Sequence, residues 1–145
     1  MKIGELAKAS ATTVETIRYY ERTGLLPIPA RTEGNYRRYE RPHLERLQFI
    51  RYCRRLDMSL DEIRVLLDLK DDGATSCEDV NTLIDAHIEH VSVRIEELRA
   101  LEKQLRSLRQ HCHSPKDVDQ CGILTELSVA AKEPSTAKPL GVHAH

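Results

Sequence analysis

Four cysteines, Cys53, Cys77, Cys112 and Cys121, are spread unevenly through 145 residues. No apolar run approaches the roughly 18 residues of a membrane span, and the first residues lack the order of a secretory signal, so a cytoplasmic, reducing location is expected. There, irregular cysteine spacing points to metal binding or thiol chemistry rather than a disulfide framework. Cys53 sits among Leu44, Leu47, Phe49 and Ile50 and reads as a core thiol. Cys77 and Cys112 bracket a long helical stretch, which at 1.5 Å per residue sets them about 50 Å apart. A metal–thiolate bond spans only about 2.3 to 2.6 Å. The two thiols cannot share an ion within one chain.

Two further groups of side chains carry chemistry. His87 and His90 lie three apart on one helix face, and His143 and His145 end the chain. With Glu62 as an oxygen donor these four imidazoles make a candidate second metal site, against the plainer reading of surface histidines and a loose end. His111 and His113 flank Cys112. In the first third, Thr16, Arg18, Tyr19 and Arg22 point outward if Val14 and Ile17 face a core. Tyr36, Arg37, Arg38 and Tyr39 follow a Gly34-Asn35 pair suited to a tight turn. Guanidinium forks and phenol hydroxyls in that pattern suit phosphate oxygens, although a solvated charged face has the same composition.

Charge separates the two halves. Residues 1–55 hold 12 basic and 6 acidic side chains, a balance of +6, whereas the other 90 hold 10 and 17, a balance of −7. A polyanion partner is expected for the first half and a different task for the second. No carboxylate pair, nucleophile–base motif or phosphate loop appears, so an enzyme is not expected.

The elements that must position these residues read as mainly α. Ile3, Leu6 and Ala7 face one side of a first helix; Thr12 with Glu15 makes a capping pattern for a second that runs to Arg22 and stops at Gly24. A hairpin of two short strands should follow, then helices over residues 41–56 and 60–69, the latter capped by Ser59 with Asp61 and Glu62 in its first turn. From Cys77 onward Ile84, Ile88, Val91, Ile95, Leu98, Leu101, Leu105 and Leu108 step by three or four. So narrow a stripe is a coiled-coil seam, and with no second helix of that length in the chain it predicts a homodimer. The expected organisation is a winged helix-turn-helix domain over residues 1–70, a linker over 71–76 and a dimerisation helix over 77–111. A metal-binding loop with a short helix follows over 112–127, and a histidine-containing tail over 128–145. If the long helices pair antiparallel, the head of one meets the tail of the other, and two-fold symmetry gives two equivalent sites.

Several strings carry a resemblance. They are Ile3, Gly4, Glu5, Leu6 and Ala7; Glu15, Thr16, Ile17, Arg18, Tyr19, Tyr20 and Glu21 followed by Gly24, Leu25 and Leu26; Gly34 through Arg37; and Phe49, Ile50 and Arg51 with Leu56, Asp57 and Met58. Over residues 1 to about 127 the chain resembles the MerR family of metal-responsive regulators, and within it the cadmium- and lead-sensing branch. The resemblance implies that the second helix enters the major groove of promoter DNA and the wing grips the backbone. Thr16, Arg18 and Tyr19 then become DNA contacts on the helix, and Tyr36, Arg37, Arg38 and Tyr39 contacts of the wing. It implies that Cys77 of one protomer and Cys112 and Cys121 of the other hold a soft divalent ion, cadmium first, with lead, zinc and mercury as alternatives. It also implies that the metal-bound dimer distorts the promoter so that RNA polymerase can use it. The copper branch lacks a cysteine at position 77 and the iron–sulfur branch needs a tight cluster of four, so neither fits. Two rivals keep the thiols without that function: a redox sensor closing a Cys112–Cys121 disulfide, and a metal-storage protein that ignores DNA.

Overall fold

The computed structural model describes residues 1–34, 36–73, 76–112 and 118–134. Contacts divide the chain into two units, Met1–Leu83 and a second that begins at Ile84. The first is built from α1 (Ile3–Ala9), α2 (Val14–Arg22), α3 (Arg41–Arg55), α4 (Leu60–Asp72) and the opening turns of α5 (Cys77–Arg109). α1 packs on α2, and α3 on α4. Leu6, Ala7, Ile17, Leu26, Tyr39 and Leu47 form a buried cluster, with Ile3, Val14 and Leu44 packed against it. The inward positions of α1 and α2 are thus the ones their spacing predicts.

Local chemistry sets the boundaries. α2 is capped by Thr13, whose hydroxyl accepts from the Thr16 N–H at 3.1 Å, and not by Thr12. Thr12 turns its own hydroxyl back to the Ser10 carbonyl at 3.0 Å, so the one-residue correction follows from which threonine has its oxygen free to face the helix. After α2 the chain reverses at Gly24, with φ +79, a conformation that costs glycine nothing. The N–H groups of Leu25 and Leu26 then close on the Tyr20 carbonyl at 2.9 and 3.2 Å. At α4 the capping box is complete: Glu62 N–H donates to the Ser59 hydroxyl at 3.1 Å, and Ser59 N–H to the Glu62 carboxylate at 3.0 Å. α4 runs three residues past Leu69 before Gly73 ends it, and so takes in part of the stretch expected as linker. Arg46 of α3 ties the unit together, donating to the Leu25 carbonyl at 2.6 Å and pairing with Asp71 near the end of α4 at 3.0 Å.

The hairpin is less than expected. Among the described residues there is no strand; one antiparallel bridge joins Arg31 to Arg37, with Thr32 N–H donating to the Tyr36 carbonyl at 2.7 Å. Pro27 and Pro29 offer no N–H donors just before it, which limits the ladder to this one rung. The root is held instead by the other end of the unit, where Tyr39 N–H donates to the Met1 carbonyl at 2.8 Å.

In the second unit, α5 is a single helix of 33 residues whose seam is largely open: Ile88, Ile95, Leu98 and Leu105 are all exposed. A 3-10 turn at Val118–Gln120 leads into α6 (Gly122–Ala130), which ends three residues past the expected bound at 127. No helix among the described residues is long and apolar enough to cross a membrane.

Replacing Ser59 with alanine removes one half of the capping box. It should lower the unfolding free energy by about 1 kcal/mol, read as a shift in urea midpoint with unchanged slope.

Candidate nucleic-acid interface and thiol sites

Five basic side chains of the first unit line one cleft. It measures about 590 Å³ and is lined by Lys2, Arg18, Arg22, Arg31, Tyr36 and Arg37 among others. Arg18 and Arg22 stand on the exposed side of α2, and the Arg22 guanidinium lies 5.9 Å from the centre of the Tyr19 ring. Tyr36 is 64% exposed, with the Lys2 ammonium 5.6 Å from its ring centre. Thr16 shares a hydrogen bond of 2.8 Å with Thr13 at the start of α2. Arg38 is exposed. Five cations around one opening, with phenol and hydroxyl donors beside them, form a surface for a polyanion backbone.

One carboxylate organises this face. Glu21 of α2 is buried, and its two oxygens each lie 3.1 Å from the Tyr39 hydroxyl, which donates to them, and 3.5 Å from the Arg37 guanidinium. Arg37 is therefore held against α2 while its side chain stays 37% exposed. Tyr39 requires a correction as a wing contact. It is 1% exposed and its hydroxyl is taken up by Glu21, so it supports Arg37 from behind and has no surface to offer a phosphate. Burial raises the Tyr39 pKa, and the Glu21 carboxylate adds to the rise. Glu21 and Lys2 were not among the residues expected to form the interface. Glu21 had a signal: it lies one turn beyond Ile17, so a carboxylate falls on the core face and needs partners there.

The thiols fall into two kinds. Cys53 is buried in α3, and burial pushes its thiol pKa up, as suits a packing residue. Cys77 is the exposed first residue of α5, Cys112 lies three residues past its end, and Cys121 immediately precedes α6; all four cysteines are free thiols. Cys112 and Cys121 are half-buried, and each has its backbone carbonyl anchored. Arg109 donates to that of Cys112 at 3.0 Å, and the N–H and hydroxyl of Thr125 donate to that of Cys121, each at 3.0 Å. His111 pairs with Glu126 of α6 at 3.9 Å. The end of α5 and the start of α6 are thus set against each other with a cysteine on each side. The 33 residues of α5 make a rod of about 50 Å. Thiols of this softness suit large polarisable cations rather than oxygen-seeking ones.

Of the candidate second site, His87 is buried and His90 exposed on α5, their rings edge to face at 6.4 Å. Glu62 belongs to the first unit, where its carboxylate caps α4. His113, His143 and His145 lie outside the described residues.

Comparison with known proteins bears on both regions. The family model described as MerR HTH family regulatory protein matches residues 1–70, and the one described as MerR, DNA binding, matches residues 44–108. The chain is 49% identical over 128 residues to a protein named HTH-type transcriptional regulator ZntR homolog from Haemophilus influenzae, covering 88% of this chain and 94% of that one. It is 40% identical over 126 residues to the mercuric resistance operon regulatory protein of Bacillus cereus, covering 87% and 96%. Among solved structures it is similar to the transcription regulator PbrR691 from Ralstonia metallidurans in complex with lead(II). There the identity is 54% and the TM-score 0.75, over 88% of this chain and 98% of the other.

The buried Tyr39 and Cys53 give the first unit an alkaline limit. Their protonated forms are favoured in the folded state, so their stabilisation is complete below the unfolded pKa values and fades as the pH rises from roughly 9. Unfolding free energy should therefore fall as the pH rises above about 9, and fall less in the Cys53→Ala, Tyr39→Phe double variant. Parallel profiles for the two proteins would contradict this assignment.

Proposed function

This chain belongs to the MerR family of helix-turn-helix regulatory proteins, and we propose that it senses cadmium or lead as a homodimer and activates metal-resistance genes. Its coarser role follows from the family: it is a metal-responsive transcriptional regulator that binds promoter DNA, not an enzyme. The observation that carries the proposal is the placing of Cys77 at one end of a 33-residue rod and of Cys112 and Cys121 at the other. A rod of about 50 Å keeps them apart in one chain, and antiparallel pairing of two rods reunites them. The exposed seam of Ile88, Ile95, Leu98 and Leu105 supplies the apolar surface for that pairing.

The ion, when bound, supplies a crosslink between thiolates of two protomers. The protein's part is to present those thiolates and to couple their spacing to the DNA-binding units. A ligand shifts such an equilibrium only by the difference in its affinity for the two states, so the thiols must fit the ion better in the activating dimer than in the resting one. Distorting the promoter for RNA polymerase is the output, and its energetic cost is of the size that phosphate contacts can offset. Arg18, Tyr19 and Thr16 of α2, with Tyr36, Arg37 and Arg38 of the wing, are the proposed contacts. Tyr39 and Glu21 hold the wing in place. Similarity to a lead(II)-bound regulator supports lead within this reading, with zinc an alternative. Similarity to a mercuric resistance regulator keeps mercury as the competing ion. The His87 and His90 pair on α5 is a proposed weaker secondary site.

Cys77→Ser, Cys112→Ser and Cys121→Ser should each abolish metal-induced transcription while promoter affinity without metal stays within about threefold. Normal induction in any one removes that cysteine from the site. Heterodimers of a Cys77→Ser subunit with a Cys112→Ser, Cys121→Ser subunit should bind one ion, against two for the parent; two or none defeats the shared site. Arg18→Ala should cost about 1–3 kcal/mol of DNA affinity in both metal states, measured by gel shift with and without cadmium.

A further inference from the structure

Gly122 makes a contact whose consequence reaches both thiols of the loop. A β-carbon at this position would overlap the carbonyl oxygen of His111 and lie 3.2 Å from its carbonyl carbon and 3.4 Å from its β-carbon. The obstacle is backbone at the end of a helix and cannot swing aside as a flexible side chain would. His111 is itself fixed: its N–H donates to the Leu108 carbonyl at 3.1 Å, and its Nδ1 lies 3.1 Å from the Ser107 carbonyl. On the other side, Cys121 N–H donates to the Val118 carbonyl at 3.2 Å, which fixes the residue before Gly122. Glycine thus allows the first turn of α6 to rest directly on the last residues of the α5 terminus.

His111 adjoins Cys112, and Gly122 adjoins Cys121. Resting one neighbour on the other limits how far apart the two cysteines can lie, although eight residues separate them in sequence. We propose that Gly122 is a positioning residue that brings the Cys112 and Cys121 thiols together in the metal-free chain, so that the ion meets a pair already assembled. The paired carbonyl anchors from Arg109 and Thr125 hold the same two shoulders, and His111 and Glu126 approach to 3.9 Å across them. The proposal rests on the reading of these cysteines as metal ligands, and it says where the cost of closing the loop is met: in folding, before binding. Any larger residue at 122 must lift α6 from His111 and lengthen the reach between the thiols.

The test reads thiol proximity without metal. In the protein carrying Cys77→Ser, the thiols outside the core are Cys112 and Cys121. Equilibration with reduced and oxidised glutathione gives their effective concentration: two thiols lose two electrons and two protons to one oxidised glutathione, which leaves as two thiols. Gly122→Ala should lower that effective concentration on the order of tenfold, because a displacement of about 1 Å is costly in a positioned pair. Leu124→Ala, on the exposed side of α6, should leave it unchanged. Far-UV circular dichroism should show α6 retained in both, alanine being the better helix former. An effective concentration within twofold of the parent in Gly122→Ala overturns the proposal, as does an equal fall in Leu124→Ala. A cadmium titration with Cys77 restored separates this from the site itself. Weaker binding in Gly122→Ala supports both, whereas a fall in thiol pairing with unchanged cadmium affinity keeps the positioning role and takes these thiols out of the ion site.

Discussion

A helix cannot be shortened to bring its ends together. α5 holds its 33 residues in one hydrogen-bonded rod, so whatever chemistry joins Cys77 to Cys112 and Cys121 has to be done by a second molecule. The same rod, with apolar residues every three or four positions, has among the described residues no other helix of its length to pack against. In the proposed dimer, incomplete burial and an incomplete thiol set have one remedy. There, association that covers the seam would also complete the proposed coordination, which makes metal occupancy a property of the dimer rather than of the chain.

The first unit obeys a different constraint, that of keeping several cations close without letting them scatter. Lys2, Arg18, Arg22, Arg31 and Arg37 around one cleft repel one another. The buried Glu21 carboxylate opposes this from within by drawing Arg37 toward α2 and tying down Tyr39 beneath it. A buried charge with partners of this kind specifies geometry more than it stabilises the fold, since its desolvation offsets much of the attraction. What is gained is a guanidinium already placed on the proposed interface, which would lose less entropy on binding DNA.

Much of this was legible in the residues. Helical spacing located the core faces of α1 and α2, Ser59 as cap marked the start of α4, and the long helix α5 with its apolar stripe followed from its period, because each depends on neighbours within a turn or two. Where the reading slipped, a competing local bond or a distant partner decided the outcome. Thr12 lost the cap to Thr13 by bonding back to Ser10. The expected strands shrank to one bridge beside Pro27 and Pro29, with the pairing completed by Met1. Tyr39 looked like a surface donor in an alternating Tyr-Arg string, yet its partner was Glu21, eighteen residues away. The role of Gly122 was invisible for the same reason: nothing in the string around it reveals that the His111 carbonyl lies against it.

The single rung between Arg31 and Arg37 has a consequence for how the molecule meets a duplex whose shape changes. A longer ladder would make the wing a stiff lever, and any change in groove width would break its contacts or strain its backbone. With one bridge among the described residues and a root tied to Met1 at Tyr39, the wing is anchored at its base rather than along a ladder, so a change in the shape of the proposed DNA partner would have few wing backbone bonds to break.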